Sequence, residues 1–524
     1  METARQINPK YPIGEQSFEK LRANGSVYVD KTLYIEKIIQ SGSQYYFLGR
    51  PRRFGKSLFL STLACFFEGK RHLFKGLYAD NILWDWETHP VLYLDLNTES
   101  YSSAMSLPEI LDYHLGIWEE KYGITASSDN VSLRFNRIIR TASQKTGKGV
   151  VVLVDEYDKP LVNNIHCPEQ VETFRDQLAS LYSNFKTCAD YLRLVFLTGV
   201  SRFGRLSVFS GLNNLRDISL ENEYAAICGI TEQELIDNFC QGINDLAKDE
   251  GLSAKDAMAE LKRFYDGYHF SRNLTDIYNP YSLLNAFEKK QLGNYWIESG
   301  YPTLLVQQLR KFDTDLGSLF EAECFEEELK QLDIDSSRPI ALLYQTGYLT
   351  ICGYDRTSRL YSLRLPNEEV KVGFLNFLLP HYADFNGAST SRFSVHRFVE
   401  EFRNGDVESF MKRLESLFAS IPYDMHIDQE RNLHNVLLML MILVGLEVQT
   451  EYRTSDGRID LFIKTDRFYY IIELKVNSSA KVALNQIKDK SYALPFATDN
   501  RRIIKIGINF STEKRRITGW LSES

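Results

Sequence analysis

Three consecutive residues, Gly55, Lys56 and Ser57, carry the first chemical signal in this chain. An apolar run, QYYFL, comes before them, and KSLFLSTLACFFEG, which reads as a helix, follows. In such a place backbone N–H groups and a helix N-terminus cradle phosphates, the lysine adds a point charge, and the hydroxyl helps hold Mg²⁺. The usual spacing, G-x-x-x-x-G-K-[ST], wants a glycine at position 50, but Arg50 stands there and the glycine is Gly49. Alone, the motif reads equally as a basic loop that begins a helix. A second signal decides between them. The apolar run GVVVLVDEYD (149–158) ends in Asp155 and Glu156. An acid at the end of a buried parallel strand stands at the carboxyl edge of the sheet, where α/β folds bind ligands. There Asp155 would hold Mg²⁺ through water and Glu156 would polarise an attacking water. A third run, LRLVFLTGVS, ends in Thr198 and Ser201 with Arg202 and Arg205 behind. Thr198 is placed to sense a terminal phosphate, with ordinary loop roles open for all four.

A different chemistry is spelled near the other end, in GRIDLFIKTDRFYYIIELKV. If TDRF (465–468) is a hairpin turn, Lys464 faces Tyr469 and Asp460 falls opposite Glu473. Opposed residues bring Cβ atoms to roughly 4.5–5.5 Å. Lys475, two residues on, shares the face of Glu473. Two acids directly opposed destabilise a sheet unless something offsets them, and a divalent cation with a taste for hard oxygen ligands, Mg²⁺ or Mn²⁺, would do so. Such a centre can hydrolyse a phosphodiester, with Lys475 orienting or deprotonating the water. A surface ion pair is the bland alternative for so short a pattern; the apolar YYII before Glu473 argues for a core strand instead.

Both sets of residues need a scaffold. VLYLDLN, GVVVLVDEYD and LRLVFLTGVS are nearly continuous apolar runs, as parallel strands buried on both faces must be, and helical stretches separate them. Residues 1–230 therefore read as an α/β domain with a mostly parallel sheet, 231–425 as a mainly helical middle region, and 426–524 as a small α/β domain. The aromatic stretches FYDGYHF and NYWIESG read as packing between helices. Net charge is −8, which excludes a protein that coats nucleic acid with its whole surface but not one with a local basic groove. The seven scattered cysteines fit reduced thiols, and the longest apolar run, 435–448, is shorter than the ~20 residues a membrane span needs. The cytoplasm is the default location.

With those residues in view, a resemblance emerges. YPIGEQSFEKLRANGSVYVDKT, GRPRRFGKSLFLSTL, VVLVDEYDKPL, LTGVSRFGRLSVFSGLNNL and YNPYSLLN resemble, in order, the AAA-ATPase-like family of bacteria and archaea. In that family GRPRRFGKS is the usual loop. The resemblance implies an AAA-like P-loop domain that binds ATP and Mg²⁺ through Gly49, Arg50, Arg53, Phe54, Gly55, Lys56, Ser57, Leu58, Asp155 and Thr198. Residues from about 425 to 510 resemble the PD-(D/E)XK nuclease superfamily, a restriction-endonuclease-like α/β fold, with Asp460, Glu473 and Lys475 at the motif positions. That second resemblance also implies Glu430 as a further metal ligand and Gln486 as a helix residue beside the site. Together they imply an ATPase joined to a metal-dependent nuclease acting on nucleic acid, DNA before RNA, with no membrane association and with a homo-oligomer left open. An ATP-driven switch that binds without cutting, and a triggered defence effector, stay open as alternatives.

Overall fold

The computed structural model describes residues 9–524 apart from 98–100, 102, 104, 126–129, 166, 203–207, 209–213, 299–304, 306–308, 310–314, 321, 333–338, 383–399, 420–434, 440–441, 443–446 and 515. It divides into two compact units, Met1–Ser299 with Glu323–Glu368, and Gly300–Ala322 with Glu369–Ser524. The 231–425 stretch is thus shared between both units. No described helix is long and apolar enough to cross a membrane.

The first unit is built on a five-stranded parallel sheet. Its strands are β1 (Tyr45–Gly49), β2 (Val91–Asp95), β3 (Val150–Asp155), β4 (Leu192–Gly199) and the two-residue β5 (Arg216–Asp217), in the order β2-β3-β4-β1-β5. Every residue of β3 is buried, which is why its sequence is an unbroken apolar run up to Asp155. β4 lies between β1 and β3, so the loops leaving β1, β4 and β3 emerge side by side at one edge. Three helices, Glu232–Asp249, Ala254–Tyr265 and Pro280–Lys289, share a second core of Leu235, Phe239, Leu246, Leu261, Leu283 and Phe287. Tyr11, from the start of the described chain, stacks on Phe239 with ring centroids 6.1 Å apart. The same unit holds a small antiparallel sheet of β6 (Glu323–Cys324), β7 (Thr350–Tyr354) and β8 (Tyr361–Arg364), in the order β6-β8-β7. These strands are two to five residues long, with an irregularity between Ile351 and Gly353, too short for a period to show in the sequence.

The second unit carries a mixed sheet of β9 (Glu447–Thr454), β10 (Gly457–Lys464), β11 (Phe468–Val476), β12 (Arg502–Ser511) and β13 (Arg516–Glu523), in the order β13-β12-β11-β10-β9. Only β11 and β12 run parallel, and the helix Ala480–Asp489 makes the crossover between them. Leu484 and Ile487 of that helix pack on Phe462, Tyr469 and Ile471. On the other face Tyr470 meets Phe402 with ring centroids 4.4 Å apart and donates its hydroxyl to the Phe402 carbonyl.

Candidate functional sites

The nucleotide loop leaves β1 at Gly49 and enters the helix Lys56–Phe67. Gly55 caps that helix with φ 100°, and nothing lies within 4 Å of where its Cβ would be. Only glycine adopts this conformation freely, and the open space lets a ligand approach the backbone. The first amide to bond back is that of Phe59, to Gly55 O at 3.0 Å. The amides before it form the helix N-terminus, where anions bind. Arg53, Phe54, Gly55, Lys56, Ser57 and Leu58 all line one cavity of about 380 Å³, together with Asn97, Glu156 and Tyr281. Its size suits a small ligand. Its lining also includes the apolar Val27, Val29, Ile230, Phe239 and Leu284. The Arg53 guanidinium lies over the Tyr281 ring, 5.0 Å from its centroid.

The Lys56 ammonium is buried and donates to Arg50 O at 2.9 Å and Pro51 O at 3.0 Å. Burial lowers its pKa, and the carboxylates of Glu156, Asp155 and Asp158 oppose that shift. Asp155, at the end of β3, accepts the Thr198 hydroxyl from the end of β4 at 2.6 Å. The Tyr93 hydroxyl on β2 donates to its other oxygen at 3.3 Å. So the structure joins Lys56, Glu156, Asp155 and Thr198 across three adjacent strand ends, and this donor set fits a nucleotide with its Mg²⁺.

Of the ten expected ligands, Gly49, Arg50, Asp155 and Thr198 are not among the residues that line the cavity. Gly49 is the last residue of β1, and its amide is spent on Ser219 Oγ at 2.8 Å. The Arg50 side chain, 1% exposed, turns away from the cavity and donates to Gly49 O, Ser219 O and Tyr224 O at 2.8–3.0 Å. Its guanidinium also lies 4.3 Å from the Phe270 ring centroid. Arg50 therefore ties the start of the loop to the Ser219 and Tyr224 carbonyls. The aromatic stretches do pack, and they pack on the loop: Phe54 meets Tyr268 and Phe270 edge-on, and Trp296 Nε1 donates to Arg52 O at 3.0 Å.

In the second unit the hairpin register is Lys464 with Tyr469 through to Leu461 with Ile472. Asp460, one step on, accepts the Leu474 amide on Oδ2 at 2.8 Å. Glu473 is fully buried, and its Oε1 receives the Gln486 amide and the Lys475 ammonium, the latter at 3.2 Å. Its Oε2 is buried without a partner among the described residues. Burial, then the nearby Asp460 charge, pushes the Glu473 carboxyl up to about 7, against the pull of Lys475. A buried carboxylate with an orphan oxygen beside a second acid is what a divalent cation would satisfy, and these residues fit one. Among the described residues no three or more His, Cys, Asp or Glu side chains gather as a metal group. Glu430, expected to add a third acid, lies outside the described residues.

Gln486 reaches Glu473 because of a glycine that belongs to neither motif. Gly507 on β12 pairs with Glu473 on β11. A Cβ at Gly507 would lie 2.5 Å from both Ala480 O and Leu484 N of the crossover helix. The helix therefore rests directly on the strand. The only local signal for this close approach is a lone glycine inside the strand run RIIKIGINF.

The comparisons agree with both domains. Residues 12–209 match the family model described as Predicted AAA-ATPase, and residues 428–520 match that of the PD-(D/E)XK nuclease superfamily. A protein of Azotobacter chroococcum mcd 1, described as "Uncharacterized protein in vnfD 5'region", is 36% identical over 526 residues, covering 98% of this chain and 99% of its own. With likeness spanning both domains, the chain belongs to the family of predicted AAA-ATPases that end in a PD-(D/E)XK nuclease superfamily domain.

Proposed function

We propose that this protein binds and hydrolyses ATP with Mg²⁺ and uses it to control a metal-dependent nuclease that cuts DNA in preference to RNA. The observation that carries the reading is Glu473: a buried carboxylate with one oxygen unpartnered among the described residues, flanked by Asp460, Lys475 and Gln486. Asp460 and Glu473 would hold a divalent cation, which would supply an activated water and offset charge on the scissile phosphate. Gln486 fixes the Glu473 rotamer, and Lys475 stands ready to orient that water or to meet the charge that develops. In the first unit Lys56 binds the phosphates, Ser57 and Asp155 hold Mg²⁺, Thr198 orients Asp155, and Glu156 polarises the water. All seven cysteines are free thiols, which supports a cytoplasmic setting.

The test is cleavage of labelled single- and double-stranded DNA and RNA with Mg²⁺ or Mn²⁺, with and without ATP, comparing wild type with Lys475→Ala. Cleavage by the wild type alone supports the nuclease, and its dependence on ATP supports control by the first unit. No cleavage under any condition overturns a nuclease that ATP and metal suffice to activate, and leaves an ATP-driven binding module or a triggered effector.

A further inference from the structure

The turn that carries Glu156 is held by two residues that have no role in the chemistry above. Glu156 has φ 51°, a left-handed conformation that disfavours any residue with a Cβ and persists only where the surroundings enforce it. The next two residues do the enforcing. Tyr157 donates its amide to Thr198 O at 3.0 Å and its hydroxyl to Ser201 O at 2.9 Å. Asp158, 2% exposed, accepts the Ser201 amide at 2.6 Å and the Val200 amide at 3.1 Å on Oδ2. The Val200 amide also lies 3.2 Å from its Oδ1. Gly199 makes the room, since a Cβ there would lie 2.6 Å from Asp158 Oδ1 and 2.8 Å from the Tyr157 ring.

The end of β4 is thus fastened to the end of β3 on both sides of Glu156. Asp155 takes the Thr198 hydroxyl on one side, and Asp158 takes the two amides on the other. Glu156 sits between them on the cavity wall, with Lys159 Nζ 3.7 Å from its carboxylate. Burying the Asp158 carboxylate is costly, and burial pushes its pKa up to about 6 even with the Ser201 amide pulling it down. A carboxylate kept in so unfavourable a place holds the turn more firmly than a neutral acceptor would.

We propose that Asp158 is a positioning residue for ATP hydrolysis: its clamp on Val200 and Ser201 keeps Glu156 in the left-handed turn that presents its carboxylate to the attacking water. The proposal rests on the reading of the cavity as an ATP-hydrolysing site. Without the clamp, Glu156 relaxes toward negative φ and its carboxylate leaves the water, while Lys56 and the loop that bind the phosphates stay in place.

The experiment measures ATP affinity, steady-state ATP turnover and thermal stability of the full chain. It compares wild type, Asp158→Ala, Asp158→Asn, Glu156→Gln, and each Asp158 variant combined with Glu156→Gln. Asp158→Ala is expected to lower kcat about 10- to 100-fold with little change in ATP Kd. Asp158→Asn keeps one acceptor oxygen and is expected to fall between. Each double variant is expected to turn over no more slowly than Glu156→Gln alone, because the two residues act as one unit. Losses that multiply in the double variants overturn the proposal, as does an Asp158→Ala that weakens ATP binding as much as turnover. If Asp158→Ala does not fold, the Asp158→Asn cycle separates the same outcomes. Wild-type turnover matched by both Asp158 variants refutes the proposal alone. A wild type that never turns over ATP refutes the underlying reading and the proposal with it.

Discussion

Replacing Glu473 by Gln should make the metal-free protein more stable at alkaline pH and blind to metal. Glu473 is fully buried, and its carboxyl is raised from 4.5 to about 7 by burial and by Asp460. The sign follows from proton binding. Between these two values the folded chain keeps the proton and the unfolded chain has released it, so stability falls as pH rises through the window. The gap of about 2.5 pKa units corresponds to ~3 kcal/mol lost in metal-free protein between pH ~4.5 and ~7. Glutamine cannot ionise, so this loss disappears in Glu473→Gln, while its side-chain oxygen can still accept from Gln486. In a unit of this size ~3 kcal/mol moves the melting temperature by about 6–12 °C. The assay is thermal unfolding of the full chain in chelator at pH 5, 6, 7 and 8, then with Mn²⁺ or Mg²⁺ added. Wild type should melt progressively lower up to pH 7 and recover with metal. Glu473→Gln should lack that part of the pH slope and gain nothing from metal. Identical pH slopes and identical metal responses in the two proteins would refute the inference from burial and the metal assignment together.

Gly507→Ala should push the crossover helix off β12, since the new Cβ meets backbone atoms at 2.5 Å that cannot swing aside. About 1–3 kcal/mol of stability should be lost, and nuclease activity should fall while ATP affinity holds; an unchanged melt and unchanged cleavage would show the contact to be slack. Lys56→Ala should weaken ATP binding about 10- to 150-fold by titration calorimetry, the worth of a hydrogen-bonded charge. Arg50→Lys should cost about 2–5 kcal/mol, because an ammonium cannot span three carbonyls and leaves buried oxygens unmet; the melting temperature reads this directly. ATP affinity of the folded Arg50→Lys protein should change little, and a large selective loss would mean that Arg50 does touch phosphate.

Residues with local signatures are legible from the chain alone. Gly55-Lys56-Ser57 is legible because a loop between a strand and a helix is a local event, and β3 is legible because a strand buried on both faces must be apolar throughout. The hairpin register at TDRF was also local, fixed once the turn was counted, and Asp460 lies close enough to Glu473 to raise its pKa. Tertiary structure decided what local pattern cannot carry. That the Arg50 side chain is buried depends on carbonyls of Ser219 and Tyr224, far away in the chain. That β4 lies between β1 and β3, so that Thr198 meets Asp155, is a property of sheet order. That Gln486 touches Glu473 depends on Gly507 letting a helix rest on a strand. In each case the sequence names the group, but its hydrogen-bond partner is chosen only when distant segments close-pack, because side-chain direction is set by the space and the unmet polar atoms that packing leaves.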